Sequence, residues 1–226
     1  MNVHEVTDEL KDKYSRNEEL ANVITHGLGV VLSIVALWVM VAYAVRDHDW
    51  VRVTAVSIFG GALILLYLMS TLYHSFQHPK LKELFRILDH ASIYLLIAGS
   101  YTPFTLVYLE GTWAWVMMSI TWTLAVAGVV FKVFFIKKFH LASTLMYVAM
   151  GWVVLNAIKP LVEATPTGAL VWVTVGGLLY TGGVVFYLWE KLPYNHAIWH
   201  LFVLGGSASH FCAVFWYVLD TPAPIV

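Results

Sequence analysis

The sequence predicts an all-α protein: a seven-transmembrane-helix bundle with the N-terminus in the cytoplasm and the C-terminus outside. Hydrophobic side chains make up 60% of the 226 residues and charged ones only 12%, whereas soluble domains carry about 25% charged residues. The mean hydropathy is +0.74, and the apolar residues fall into seven runs, each long enough to cross a bilayer. These runs leave room for one membrane domain, residues 22–219, between a cytoplasmic or interfacial tail, 1–21, and a short C-terminal tail, 220–226.

In the N-terminal tail, Val3, Val6, Leu10 and Tyr14 recur at helical spacing among Asp, Glu and Lys, which predicts a short amphipathic helix on the membrane surface. No short apolar core is followed by a small-residue cleavage site, so the first span is expected to target the chain. The spans are predicted near 22–45, 53–76, 88–109, 113–135, 140–159, 168–188 and 197–219. Arg46, Asp47 and Asp49 end the first and His78, Pro79 and Lys80 the second. Glu110 and Gly111 divide the third from the fourth, which Lys137 and Lys138 end. Pro160 and Pro166 bracket the fifth connection, and Glu190, Lys191 and Pro193 mark the sixth. Trp113, Trp115, Trp189 and Trp199 suit headgroup-level aromatic belts. The glycine pairs at 176–177, 182–183 and 205–206 permit close helix approach.

Orientation follows from Lys and Arg. The N-terminal tail, the second connection, the region after span four (with Lys132) and the sixth connection together hold ten of these residues, and the opposite side holds three, Arg46, Arg52 and Lys159. Positive charge inside places the N-terminus in the cytoplasm. A net charge of −1 without a basic face excludes a nucleic-acid partner. Cys212 lies alone in an apolar run and reads as a small hydrophobe.

That orientation brings several polar residues to one depth. Ser70 and His74 fall on the last turns of span two, Asp89 opens span three, and His196 and His200 open span seven, all at the cytoplasmic edge. His74 and His196 are more than 120 positions apart in sequence. His196 and His200 are four apart and share a helix face, a spacing at which two imidazoles can hold one cation. Three imidazoles plus an exchangeable position is the pattern of a catalytic zinc. Asp89 is then placed as general base and Ser70 as a residue that orients the carboxylate or steadies an oxyanion. Plainer readings remain open: HxxxH as an interhelical hydrogen-bonding pair, Ser70 bonded one turn back, and Asp89 as a helix N-cap.

Glu18, Glu19, Asn22, Thr25 and His26 form a second cluster at the start of span one. Glu19, Asn22 and His26 share a face and are expected either to support the metal ligands or contact substrate, or else to serve as helix capping and an interfacial carboxylate, with Arg86 a candidate partner for an acidic member. His210 is expected to bond across the bundle, and His4, His48, His78 and His140 to be solvated.

The runs EELANVITHGLG (18–29), STLYHSF (70–76), LDHASIYLLIAGSYTP (88–103) and HAIWHLFVLGGSASHF (196–211) resemble the bacterial hemolysin III family. That family lies within the progestin and adipoQ receptor (PAQR) group and a wider seven-span set that includes alkaline ceramidases. The resemblance implies zinc (Zn2+) held by His74, His196 and His200, with Asp89 reaching it through water and Ser70 nearby. It also implies a multi-pass protein of the plasma (inner) membrane tied to membrane lipid homeostasis.

The expected function is zinc-dependent hydrolysis of a lipid amide or ester, with a membrane lipid as substrate or ligand. Two alternatives come from other classes. One is a receptor-like sensor with structural zinc; the other is a pore-forming, hemolytic or ion-conducting protein, for which Thr54, Ser57, Ser119, Thr121 and Thr123 do not align with the cytoplasmic cluster.

Overall fold

A computed structural model describes residues 14–136 and 138–220, all helical apart from short connections. The surface helix expected around Val3, Val6 and Leu10 lies outside the described residues, as do His4 and Lys137.

Helix α1 spans Arg16–Arg46 and starts well before residue 22 because Ser15 caps it. The Glu18 amide donates to Ser15 Oγ at 3.3 Å and the Ser15 amide to Glu18 Oε2 at 2.9 Å, a reciprocal capping box. Helix α2, Trp50–Ser75, is capped by Asp49, whose carboxylate accepts the Arg52 amide at 2.9 Å and pairs with the Arg52 guanidinium at 3.2 Å. Helix α3, Pro79–Val107, has proline at its first position, where a missing N–H costs nothing. Asp89 therefore lies in the interior of a helix and is not its N-cap. Helix α4 spans Gly111–Phe135.

The fifth span is broken. Helix α5, His140–Gly151, passes through a tighter 3-10 segment, Val153–Ala157, into the short α6, Ile158–Ala164. Pro160 has no N–H to offer the carbonyl of residue 156, so a regular helix cannot run through this point. Helix α7, Thr167–Leu188, and α8, Asn195–Ala213, complete the bundle, and α8 ends in a π-helical turn, Val214–Val218.

Six of these helical stretches are long and apolar enough to cross a membrane: Arg16–Arg46, Trp50–Ser75, Gly111–Phe135, His140–Ala164, Thr167–Leu188 and Asn195–Val218. The chain is a multi-pass membrane protein. Helix α3 is equally long but less apolar, because it packs between α2 and α4 and buries Asp89, Ser92, Thr102 and Thr105. Large apolar side chains instead cover the outside, with Trp115 72% and Phe134 74% exposed. Trp199 departs from the expected belt: it is half-buried and packs against Gly183.

One glycine of each α7–α8 pair makes the close approach. Gly176 faces His210, Gly183 faces Trp199 and Phe202, and Gly206 faces Tyr180, leaving no room for a Cβ. Most of the cations counted for orientation lie within helices and not in loops, Lys80, Lys82, Arg86, Lys132, Arg46, Arg52 and Lys159 among them. Lys132 is buried in the last turn of α4 with its ammonium 5.6 Å from the Tyr147 ring centre, and Arg52 is buried against Asp49.

Candidate metal centre

The last turn of α2 and the first turns of α8 meet at one end of the bundle. They bring His74, His196 and His200 together, all three buried, with one ligand nitrogen from each lying within 4.8 Å of the others. The ring centres are 4.5 Å apart for His196 and His200, 5.0 Å for His74 and His196, and 5.3 Å for His74 and His200. These three imidazoles can hold a metal ion.

Helix α1 fixes which nitrogen two of them present. His74 Nδ1 lies 2.6 Å from Glu19 Oε2. An ionised carboxylate only accepts, so Nδ1 carries the proton and Nε2 keeps the lone pair that a metal needs. His200 Nδ1 lies 3.0 Å from Thr25 Oγ1. The single hydroxyl proton of Thr25 is directed at the Ala21 and Asn22 carbonyls, 2.9 and 3.0 Å away. Thr25 therefore accepts from His200 Nδ1–H, and again Nε2 is the open donor atom. This donor set fits a cation that prefers imidazole, and both tautomers are set by groups one helix away.

Glu19 is held in turn. Lys82, buried in the first turns of α3, donates from Nζ to Glu19 Oε1 at 2.6 Å, and its ammonium sits 5.1 Å from the Tyr73 ring centre. Asn22 Nδ2 lies 3.3 Å from His74 Nδ1. Arg86, the cation expected to serve this cluster, pairs instead with Glu83 one turn back at 2.8 Å. Lys82 lies nearer the start of α3 and is the cation that reaches α1.

His26 stacks on His200 with ring centres 3.4 Å apart and planes 13° from parallel, and it meets Tyr67 edge-on. It is buried, and among the described residues neither ring nitrogen has a hydrogen-bond partner. Tyr14 covers the cluster, its ring centre 5.2 Å from His196 and 5.8 Å from His74.

Ser70, one turn before His74, is fully buried, and its hydroxyl has no hydrogen-bond partner among the described residues. Asp89 feels the charge of Lys132, and its Oδ2 is 3.6 Å from His90 Nδ1. Asp89, His26, His196 and His200 line one end of a cavity of about 290 Å³, whose walls are otherwise mainly Leu, Ile, Val and aromatic side chains. A carboxylate, a metal-competent imidazole cluster and an apolar chamber thus adjoin.

Other histidines sort as follows. His48 and His78 are exposed. His210 bonds across the bundle, its Nε2 3.3 Å from the Val173 carbonyl. His140 is not solvated: its Nε2 lies 2.8 Å from the Tyr187 hydroxyl, which is itself 3.3 Å from His90 Nε2. Cys212 is free and half-buried. Lys82, Lys132 and the cover by Tyr14 carry no local sequence signal, because each acts on a residue distant in sequence.

The family described as "Haemolysin-III related" matches residues 14–211. The chain is 53% identical to "Hemolysin-3" of Bacillus cereus over 204 residues, covering 90% of this chain and 93% of that protein. It is 46% identical to the "Hemolysin-3 homolog" of Bacillus subtilis (strain 168) over 209 residues, covering 92% and 98%. More distantly, it is 30% identical to the human "Monocyte to macrophage differentiation factor" of the PAQR family over 211 residues, covering 91% and 86%. A match of this extent, spanning every helix that builds the cluster, shows that the chain belongs to the haemolysin III family.

Proposed function

We propose that this protein is a seven-span zinc hydrolase of the plasma membrane that cleaves an amide or ester bond of a membrane lipid, with its N-terminus in the cytoplasm. The observation that carries the reading is that His196 and His200, two of the three clustered imidazoles, share the lining of a mainly apolar chamber with Asp89. Helix α3, at 29 residues, is long enough to be the seventh span.

His74, His196 and His200 would hold the zinc, which when bound would supply a Lewis acid able to polarise a carbonyl and activate water near neutral pH. The other roles belong to this chain. The lipid's acyl chain lies in the apolar chamber, which places its carbonyl carbon at the histidine end. Asp89 accepts the proton of the attacking water and returns it to the leaving amine or alkoxide. His26, which lines the chamber and stacks on His200, contacts the lipid's polar group. Burial excludes bulk water and strengthens each of these interactions.

The name of the Bacillus cereus relative, "Hemolysin-3", favours a second reading, lysis of a membrane, which predicts dye release from liposomes independent of His74. The primary test is elemental analysis of detergent-purified wild type beside the His196→Ala, His200→Ala double variant, followed by a lipid-hydrolysis screen. About one zinc per chain, lost in the variant, supports the reading. A folded wild type that neither contains nor takes up zinc overturns it.

A further inference from the structure

His74, His196 and His200 are all buried, so anything that reaches them from water must first pass other side chains. Among the described residues, the rings beside His74 and His196 are their fellow histidines and Tyr73, Tyr187 and Tyr14. Tyr73 is buried. Tyr187 is held on both sides of its hydroxyl, 2.8 Å from His140 Nε2 and 3.3 Å from His90 Nε2.

Tyr14 differs from both. It is half-buried and precedes Ser15, the cap of α1, so it stands outside the helix while its ring lies 5.2 Å from His196 and 5.8 Å from His74. The start of the helix itself is pinned, because Glu18 Oε1 accepts the Tyr194 amide at 3.0 Å. Rotation of the Tyr14 side chain needs neither unwinding of α1 nor release of that bond.

Tyr14 also forms part of the wall of a second cavity, of about 40 Å³. Arg86 and His140 line it too, and it shares His90, Tyr187 and His196 with the large apolar chamber. Ile136 is its one aliphatic lining residue. Arg86 is paired with Glu83 at 2.8 Å, so its charge is opposed. At about 10–15 Å³ for each water, the space takes about three. It suits water or a small cation and is too small and too polar for an acyl chain. His196 therefore has two different cavities beside it, one apolar and one polar.

We propose that the small polar cavity is a vestibule through which zinc and water reach the histidine cluster, apart from the lipid's chamber, and that the Tyr14 ring is its gate. The inference rests on the reading of the three histidines as a zinc centre. It adds separate routes for the hydrophilic and the apolar partners of that centre.

The test follows zinc in both directions in purified full-length protein: release from the zinc-loaded form into excess EDTA, and uptake of Zn2+ by the metal-free form. A gate that is open about 10% of the time or less slows both steps about tenfold or more. Tyr14→Ala is therefore expected to speed release and uptake alike by about tenfold or more, leaving their ratio, the zinc affinity, unchanged. Tyr14→Phe keeps the ring and should keep the wild-type rates. Tyr14→Leu, which also removes the ring, gives the same comparison if the Ala variant does not fold. Unchanged rates without the ring overturn the gate. Faster release alone, with affinity lost by the same factor, makes Tyr14 a structural support of the ligands and overturns it too, as does a Phe variant as fast as Ala. In each of these cases the zinc centre stands. A folded wild type that takes up no zinc overturns both.

Discussion

Glu19 Oε2 lies 2.6 Å from His74 Nδ1, and Glu19 Oε1 lies 2.6 Å from Lys82 Nζ, so one carboxylate on α1 ties a candidate metal ligand on α2 to a buried cation on α3. The carboxylate holds the imidazole in the tautomer that offers Nε2, and the ammonium holds the carboxylate. Removing such an outer partner typically costs about 10–100-fold in metal affinity. Glu19→Ala and Lys82→Met are each expected to weaken zinc binding by about that factor in a zinc titration of purified protein. Wild-type affinity in both variants would refute a supporting role.

Thr25 performs the same service for His200 as a neutral acceptor, 3.0 Å away. Thr25→Val keeps the shape and removes the oxygen, leaving His200 Nδ1–H without its acceptor. The expected loss is about tenfold in zinc affinity, near the lower end of the range for such partners. Thr25→Ser should restore it, and failure of Ser to outperform Val would point to packing.

Asp89 has no place in the three-imidazole set and lines the same cavity as His196 and His200. Asp89→Asn should therefore retain stoichiometric zinc and lose about 10²–10⁴ in turnover once a lipid substrate is in hand. A fully active Asn variant rejects the general-base role.

Gly29 has no space for a side chain. A Cβ there would meet the Tyr67 ring at 2.5 Å, and Tyr67 is itself buried and bonded to Ser207. Gly29→Val should destabilise the bundle by about 1–3 kcal/mol through overpacking, read as a lower thermal midpoint. An unchanged midpoint would show that α1 and α2 can separate at no cost.

Much of the architecture is written in local runs of residues. The apolar stretches mark the spans, and Pro79 and Pro160 mark where helices start or break. The motif Ser15 to Glu18, a capping box readable from four residues, starts α1 earlier than hydropathy implies because capping is a matter of hydrogen bonds and not of apolarity. Asp89 looks like a helix opener only while the polar residues before it are taken for a loop. Those residues, Lys82 and Arg86 among them, are in fact helical and amphipathic, so α3 begins ten residues earlier, at Pro79.

By itself the sequence determined the membrane class and the helical fold, and it singled out His74, His196 and His200, which the structure brings together. Hydropathy and i, i+4 spacing are local properties that survive without a fold. Only the tertiary structure decided the partnerships: Lys82 rather than Arg86 on Glu19, Thr25 on His200, the charge of Lys132 acting on Asp89, and His210 on the Val173 carbonyl. Each depends on which faces of separate helices meet and at what height. That is set by close packing of side chains such as Tyr67 on Gly29 and His210 on Gly176, and no single segment encodes it.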